Sequence, residues 1–357
     1  MDLEYYLRVL NNSSVEVSCG DAEVALRHVG YYGKHGLQGY YEKGGLFCFE
    51  GAKILPASFD LLQYDSYNVR LDIDIDGAVH SRSFDGLDWF GLYDVFKRCY
   101  TIGDFDKVAF DSFAVCFQHG FRHDKGLIGD NICRLYQYYK NEFGASAPGY
   151  EIYLFNKTED GNIFAGAGQS SQGMTFDPGK LRDWELLSHR MFHAFIDFNL
   201  RLKFMLYPPY TWMYEGLAVY HEIEAVKCLG LYEKGEVDPW RDLELRYRYT
   251  LSKYGEELTL DPHKEAEYAG CGYKTEFLHY TMAPLIIKAN NPQNIVNLLK
   301  KGCTPEALTG ILSVGLLFEP FELFEFEELT EGEKRKLDYF DYVLETWGIA
   351  KEKRSEI

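Results

Sequence analysis

Two histidines and a glutamate in the second half of the chain have the residue types and the spacing of metal ligands. His189 and His193 lie four residues apart in a segment with helical character, so both imidazoles leave the same face of the helix. Two prolines at 208–209 then break the chain, and a second helix presents Glu215. Two histidines one turn apart, joined by a carboxylate from the next helix, suit a tetrahedral zinc site with one open position.

The residue after the first histidine does not suit hydrolysis at such a site. In zinc enzymes with this spacing the position holds a glutamate, which takes the proton from the attacking water. Here it holds Arg190, and a guanidinium cannot serve as a general base. Two roles stay open for this arginine. It pairs with Glu215 or Glu222, the interpretation that we favour, or it binds an anionic group of a ligand.

Neighbouring residues also have two interpretations each. Glu185 lies one turn before His189 on the same face, where it is either an acceptor for a ring N–H or a first-turn acid favoured by the helix dipole. The histidine pair itself is either a present or former metal site or two core histidines of an amphipathic helix. His221 and His279 adjoin motif positions, and we expect both to be structural.

Composition limits the class of protein. The 357 residues can form two domains or one large one, and 46% of them are hydrophobic and 16% aromatic, which predicts a well-packed fold. The 55 acidic residues exceed the 37 basic ones by 18, so we expect no nucleic acid partner and no membrane partner. The eight cysteines form no CxxC pair and the chain starts without a signal sequence, so we predict a cytoplasmic protein with reduced thiols.

The first third of the chain reads as strands that form a half-buried antiparallel sheet or a sandwich. The clearest is 67–75, where apolar and charged residues alternate, and Asp76-Gly77 is a two-residue hairpin signal. The other predicted strands are 5–9, 15–18, 23–28, 44–49 and the return strand 79–84.

The rest of the chain reads as a small α+β part followed by helices. A helix through 132–143 ends at Gly144, a buried strand covers 150–155, and 163–176 is predicted as an extended edge strand rich in small residues. Predicted later helices, after the two motif helices, are 238–254, 273–288, 292–300, 305–312 and 331–347, the last with a capping box from Thr330 to Glu333.

With the motifs and this order of elements, the chain resembles the gluzincin metallopeptidases, especially glycyl aminopeptidases and the aminopeptidase N family. Their ligand helix carries His-Glu-x-x-His, and their next helix carries Glu-Gly-aromatic-small-x-Tyr-x-Glu. This chain has HRMFH at 189–193 and EGLAVYHE at 215–222, with Leu217 in place of the aromatic residue. A further match is Tyr280 in FLHYTMAP.

The resemblance implies a fold and roles for particular residues. It implies an α+β protein with a β-sandwich-like N-terminal domain, residues 1–120, and a thermolysin-like domain with a mainly helical C-terminal part, residues 121–357. It implies that zinc is held by His189, His193 and Glu215, with Glu222 behind the ligands and Tyr280 stabilising the oxyanion. Substrate would bind along the edge strand, at Gly166, Gly168, Gln169 and Ser170.

The resemblance and the missing glutamate together leave three functions open. The first is an aminopeptidase-like protein that keeps a zinc site and has lost most or all peptide hydrolysis. The second is a non-catalytic module that binds a peptide or protein in the same cleft. The third is an active aminopeptidase with an atypical general base. The sequence predicts no oligomeric state.

Overall fold

The structure is a computed structural model, and it describes residues 2–10, 15–19, 39–42, 46–50, 64–144, 147, 149–157, 165–167, 170–200, 203–231, 237–258, 260–268, 270–311 and 329–347. The chain divides into two compact units. One contains Met1–Pro178 with His193–Asn199, and the other contains Gly179–Phe192 with Leu200–Ile357. The predicted domains, 1–120 and 121–357, stay a prediction. The architecture is mixed α+β with a helical C-terminal part, as expected from the order of elements.

The described residues of the first unit form the strands and two complete helices. In chain order these are β1 (Asp2–Leu10), β2 (Val15–Cys19), β3 (Gly39–Glu42), β4 (Leu46–Glu50), β5 (Ser66–Ile75), β6 (Ala78–Leu87), α1 (Trp89–Lys97), β7 (Cys99–Ile102), β8 (Phe105–Ala109), β9 (Phe113–Gln118), α2 (Lys125–Phe143), β10 (Tyr150–Phe155), β11 (Ala165–Ala167) and β12 (Ser171–Thr175). The strands form three sheets in the orders β2-β1-β5-β6, β3-β4-β7 and β11-β12-β10-β9-β8.

The first sheet confirms the predicted hairpin and corrects one strand direction. Asp76 and Gly77 both have positive φ, as a two-residue hairpin turn requires, and β5 pairs antiparallel with β6 on either side of them. However, β1 lies parallel to β5, so the expectation of a purely antiparallel sheet is wrong. Apolar alternation is the same for a parallel and an antiparallel neighbour, and only the path of the intervening chain decides the direction. The sandwich arrangement stays a prediction, and the strand predicted at 23–28 lies outside the described residues.

The five-stranded sheet corrects the prediction for 163–176. Of the two described strands in this segment, β11 is at an edge of the sheet, whereas β12 lies between β11 and β10 and is buried along its whole length. The small residue Gly173 has a packing role here, because a Cβ atom built on it would lie 2.8 Å from the Sγ atom of Cys99 and 3.1 Å from that of Cys48. The space beside Gly173 is therefore filled by the side chains of Cys48 and Cys99. The sequence predicts instead that small residues in this segment leave room for a ligand.

Aromatic side chains join the five-stranded sheet to helices. Phe113 of β9 stacks on Tyr136 of α2, with ring centroids 4.4 Å apart. Tyr136 in turn meets Phe195 at 5.0 Å. The contact with Phe195 explains why the segment His193–Asn199 is compact with the first unit. As predicted, α2 ends at Gly144, which has a φ of 66°.

The second unit is helical. Its elements are α3 (Leu181–Leu200, shared with the first unit), α4 (Thr211–Leu229), α5 (Pro239–Tyr254), α6 (Gly272–Phe277), a π-helical turn (Leu278–Met282), α7 (Ala283–Ala289), α8 (Pro292–Lys300), α9 (Pro305–Ile311) and α10 (Glu331–Trp347), with short 3-10 segments at Lys203–Leu206, Gly255–Leu258 and Pro262–Tyr268. In the described part of the chain, no helix is both long and apolar enough to span a membrane.

Two predicted local features of this unit are settled by hydrogen bonds. Glu333 accepts the backbone N–H of Thr330 at 2.9 Å, and Thr330 Oγ1 accepts the N–H of Glu333 at 3.2 Å, which is a complete capping box at the start of α10. The continuous helix predicted over 273–288 is interrupted, because the π-helical turn separates α6 from α7. The spacing of apolar residues predicts a helix but does not show where one of its turns contains an extra residue.

Candidate metal centre

Helix α3 presents its two histidines beside a buried apolar stripe. Leu187, Met191 and Phe192 are fully buried, whereas His189 and His193 are half-buried. The two histidines are four residues apart, so they lie on one face of the helix at a separation of one turn. The periodicity of α3 therefore packs the apolar residues fully and leaves the two histidines half-buried on one face.

Helix α4 presents Glu215, and the glycine that follows sets how closely this helix packs. A Cβ atom built on Gly216 would lie 2.6 Å from Ala283 Cβ and 2.9 Å from Ile287 Cδ1, both on α7. Such distances are too short for real side chains, so only glycine permits this approach. The Glu-Gly pair of the motif thus combines a polar side chain with the close helix packing that holds it.

The structure brings His189, His193 and Glu215 together. One ligand atom from each residue lies within 4.8 Å of the others, and all three residues are half-buried. Two imidazole nitrogens and a carboxylate oxygen are a donor set that zinc prefers, and three protein ligands leave a fourth position open. These residues therefore fit the metal that the sequence predicts.

A second carboxylate holds the first histidine from behind. His189 Nδ1 lies 2.8 Å from Glu222 Oε2, and His189 Nε2 lies 3.3 Å from Glu215 Oε2. Carboxylates bonded to the outer nitrogen of a metal-binding histidine fix its tautomer and ring orientation. Glu222 therefore occupies the place from which it can direct Nε2 toward Glu215.

Arg182 adds a positive charge to this acidic group. Its Nη1 atom lies 3.6 Å from Glu222 Oε1 and 3.3 Å from Glu185 Oε2. Burial, followed by the charge of Glu222, raises the pKa of the Glu185 carboxyl, and Arg182 partly opposes this rise. Sequence reasoning missed Arg182, although its position three residues before Glu185 on α3 is a helical ion-pair spacing.

The two carboxylates change the protonation of His189. Burial favours the neutral ring, but the hydrogen bonds and charges of Glu215 and Glu222 outweigh burial and raise the pKa of His189 to about 9. In the metal-free protein the ring is therefore mostly positively charged at neutral pH. A metal ion at this position has to displace that proton.

Tyr280 lies next to two of the candidate ligands, His189 and Glu215. Its ring centroid is 6.1 Å from that of His189. The charge of Glu215 is the largest cause that raises the pKa of Tyr280 well above its ordinary value, followed by burial and by Glu276, whereas Arg190 lowers it. The hydroxyl is thus held in its protonated form beside Glu215, where it can donate a hydrogen bond.

The structure places Arg190 half-buried and close enough to Tyr280 for its charge to act on that hydroxyl. The predicted pairing of Arg190 with Glu215 or Glu222 stays a prediction. Of the two other nearby histidines, His221 is buried and stacks on Phe192 with ring centroids 5.0 Å apart and an interplanar angle of 19°.

The residues predicted to bind substrate lie in and after β11. Gly166 belongs to β11, and Ser170 Oγ donates a hydrogen bond to Asp94 Oδ1 at 2.9 Å. Gly168 and Gln169 lie outside the described residues. The role of these four residues in binding a substrate stays a prediction.

Two acidic residues that the sequence did not single out lie around Tyr280. Burial raises the pKa of Glu276, and the positive charges of Arg182 and Arg246 oppose this rise. Glu265 is buried and bonds to His279. Glu276 precedes Tyr280 by one helical turn, so the proximity of these two residues was predictable from their spacing. Nothing in the sequence predicts the contact between Glu265 and His279.

Comparison with known proteins shows coarse structural likeness only. No family model and no curated protein sequence matches this chain. The fold is similar to that of an aminopeptidase N family protein from Idiomarina loihiensis, at 13% identity and a TM-score of 0.49, over 77% of this chain and 53% of that chain. It is also similar to yeast LTA4 hydrolase, solved in complex with bestatin, at 11% identity and a TM-score of 0.44, over 87% of this chain and 52% of that chain.

The chain spans about half the length of each of these two proteins. At such identities and TM-scores the likeness carries no argument about the site. The interpretation of the site therefore depends on the distances between its own residues.

Proposed function

We propose that this protein binds one zinc ion through His189, His193 and Glu215 and is an aminopeptidase-like protein with lost or very weak peptide hydrolysis. The observation that carries the proposal is the convergence of three ligand atoms within 4.8 Å. Glu222 supports it, because its bond to Nδ1 of His189 leaves Nε2 for the metal.

The residues around these ligands suit the chemistry of a carbonyl group. Zinc, when bound, would supply Lewis-acid activation of a carbonyl and of water. Tyr280 would donate a hydrogen bond to the oxygen that becomes negative, since its hydroxyl stays protonated beside Glu215. Arg190 supplies no general base, and such assistance is typically worth about 10²–10⁴ in rate. A slow or absent reaction is therefore expected.

Metal analysis tests the proposal most directly. We expect about one zinc per chain after purification from zinc-supplemented medium, and a melting temperature that falls when a chelator removes the metal. His193→Ala should lose the metal and its stabilisation, whereas His263→Ala, which changes an exposed histidine, should keep both. Absence of zinc from the native protein, with an unchanged melting temperature for His193→Ala, would refute the zinc site.

A second function, binding of a peptide or protein without hydrolysis, is favoured by one feature of the five-stranded sheet. In the strand order of the described residues, β11 is the last strand, and edge strands can pair with an extended peptide. This function predicts that short peptides bind and are recovered intact, and that backbone N-methylation of the peptide weakens binding.

A third function, hydrolysis with an atypical base, would need Glu185 or Glu222. Both oxygens of Glu222 are already engaged, one by His189 Nδ1 and the other by Arg182. Glu185 also faces Arg182. These contacts make Glu222 a poor acceptor for a proton from water. Arg182 also opposes the raised pKa of Glu185, so we place this function last.

For the location we propose the cytoplasm, since the described cysteines are free thiols.

A further inference from the structure

A buried carboxylate connects the two elements that carry Glu215 and Tyr280. Glu265 lies in the 3-10 segment Pro262–Tyr268 and is 4% exposed. Its Oε1 atom lies 2.5 Å from His279 Nε2, and its Oε2 atom accepts the backbone N–H of Thr211 at 3.0 Å. Both oxygens of one carboxylate are therefore used, each by a different element.

The Thr211 contact fixes the start of α4. Thr211 is the first residue of this helix, and the preceding residue, Tyr210, provides no side-chain cap. A carboxylate at a helix N-terminus satisfies an otherwise unpaired N–H and interacts favourably with the helix dipole. Glu215 follows Thr211 by four residues, so this bond holds the turn of α4 on which Glu215 is placed.

The His279 contact fixes the turn that carries Tyr280. His279 is 7% exposed and lies in the π-helical turn, directly before Tyr280, and the two ring centroids are 6.0 Å apart. π-helical turns are rare in proteins, and those that occur are frequently found at functional sites. A short bond from Nε2–H to a carboxylate is a strong restraint on the orientation of such a turn.

Helix capping alone does not explain this arrangement. A serine, threonine or aspartate at position 210 would cap α4 without burying a charged group. A buried carboxylate is costly unless it is fully hydrogen-bonded, and here the second bond goes to the neighbour of Tyr280. The geometry thus couples the position of Glu215 to that of Tyr280.

We infer that Glu265 and His279 are positioning residues, which together set the separation between the Glu215 carboxylate and the Tyr280 hydroxyl. This inference rests on the proposed zinc site for its functional meaning. The link itself is a property of the metal-free protein, and it is open to a measurement that needs neither zinc nor activity.

The test places 3-fluorotyrosine at position 280 and compares two variants at position 279. His279→Leu removes the donor at similar volume, whereas His279→Gln keeps an N–H that can donate to Glu265. We expect the ¹⁹F signal of the metal-free protein to move in His279→Leu and to stay near its original position in His279→Gln. The zinc dissociation constant, measured by competition with a chelator, should rise about tenfold in His279→Leu and change less than about threefold in His279→Gln.

A purely structural role gives a different result. His279→Leu would then lower the melting temperature while the ¹⁹F signal and the zinc affinity of the folded protein stay unchanged, and this outcome would overturn the inference. If the native protein binds no zinc, the proposed function fails, and the ¹⁹F comparison still decides whether the link positions Tyr280. Should His279→Leu not fold, Glu265→Gln, which keeps the side-chain shape and removes its charge, replaces it and is expected to move the signal too.

Discussion

His189 Nδ1 lies 2.8 Å from Oε2 of Glu222, one helix away and 33 residues later in the chain. The ring therefore enters the candidate metal centre already oriented, with Nε2 on the side of Glu215. Because the neutral form of the ring has one N–H, a carboxylate at Nδ1 favours the tautomer whose Nε2 can bind a metal.

We expect Glu222→Gln to weaken zinc binding by about 10–100-fold, since removal of such a carboxylate loosens the histidine that it orients. A competition titration with a zinc chelator measures the change. Glu224→Gln is the matched control, because Glu224 lies on the same helix and accepts a hydrogen bond from Trp240 Nε1. Equal zinc affinities for Glu222→Gln and the native protein would mean that Glu222 does not orient His189 for a metal.

Gly216→Ala should destabilise the protein by about 1–3 kcal/mol through overpacking, because its new Cβ atom would lie 2.6 Å from Ala283 Cβ. Gly129→Ala is the control. It also changes a helical glycine, but the nearest atom there is Phe110 Cζ at 3.6 Å, an ordinary contact. This control should be stabilised by about 0.5–1 kcal/mol from helix propensity. Denaturant unfolding of both variants gives the two free energies, and a stabilised Gly216→Ala would contradict the close helix packing.

Part of the pH dependence of the free energy of unfolding should come from His221. Burial, helped by Lys300, lowers the pKa of His221 to about 3 from its ordinary value near 6.5. The unfolded chain takes up a proton below pH 6.5 and the folded chain does not, so stability is present above pH 6.5 and is lost as the pH falls toward 3. The loss from this group is about 1.4 kcal/mol per pH unit, or about 2 kcal/mol between pH 6.5 and 5.

His221→Phe tests this share, because phenylalanine keeps the stacking on Phe192 and has no titratable proton. Its free energy of unfolding should fall less steeply from pH 6.5 to 5, by about 2 kcal/mol over that range. His80→Gln, which changes an exposed histidine, should follow the native curve. Identical slopes for His221→Phe and the native protein would show that the buried ring takes up its proton in the folded state.

The sequence predicted the parts of the site that depend on local spacing. Helical periodicity placed His189 and His193 on one face, and the Glu-Gly motif placed Glu215 on the next helix. Contacts between distant segments were not predictable in this way. The bond from Glu265 to His279 and the ion pair from Arg182 to Glu222 join residues whose proximity is not indicated by any periodicity of the sequence.

The same limit applies to the fold. The hairpin at Asp76-Gly77, the Gly144 helix end and the Thr330 capping box follow from the conformational preferences of single residues, and each is confirmed. The parallel pairing of β1 with β5, the interior place of β12 and the π-helical turn depend on tertiary packing. Local preference does not distinguish these arrangements from their alternatives.

Restoring the missing carboxylate tests the proposed loss of hydrolysis. The native protein should hydrolyse aminoacyl reporter substrates no faster than His189→Ala does, because Arg190 cannot accept the proton of water. Arg190→Glu returns a carboxylate to the residue after the first histidine, and it also removes a positive charge that repels a dication. We expect Arg190→Glu to gain zinc-dependent hydrolysis, with an upper limit of about 10²–10⁴ over the native rate.

Arg190→Gln separates the two effects of that substitution, because it removes the charge without supplying a base. It should bind zinc at least as tightly as the native protein and stay inactive, whereas Glu215→Gln in the Arg190→Glu background should lose both zinc and activity. If Arg190→Glu binds zinc and remains inactive, the arrangement of Tyr280 and the ligands does not support hydrolysis, and the peptide-binding function becomes the better account. Native protein that already hydrolyses peptides and stops on chelation would mean that another carboxylate acts as the base, with Glu185 and Glu222 the first to substitute.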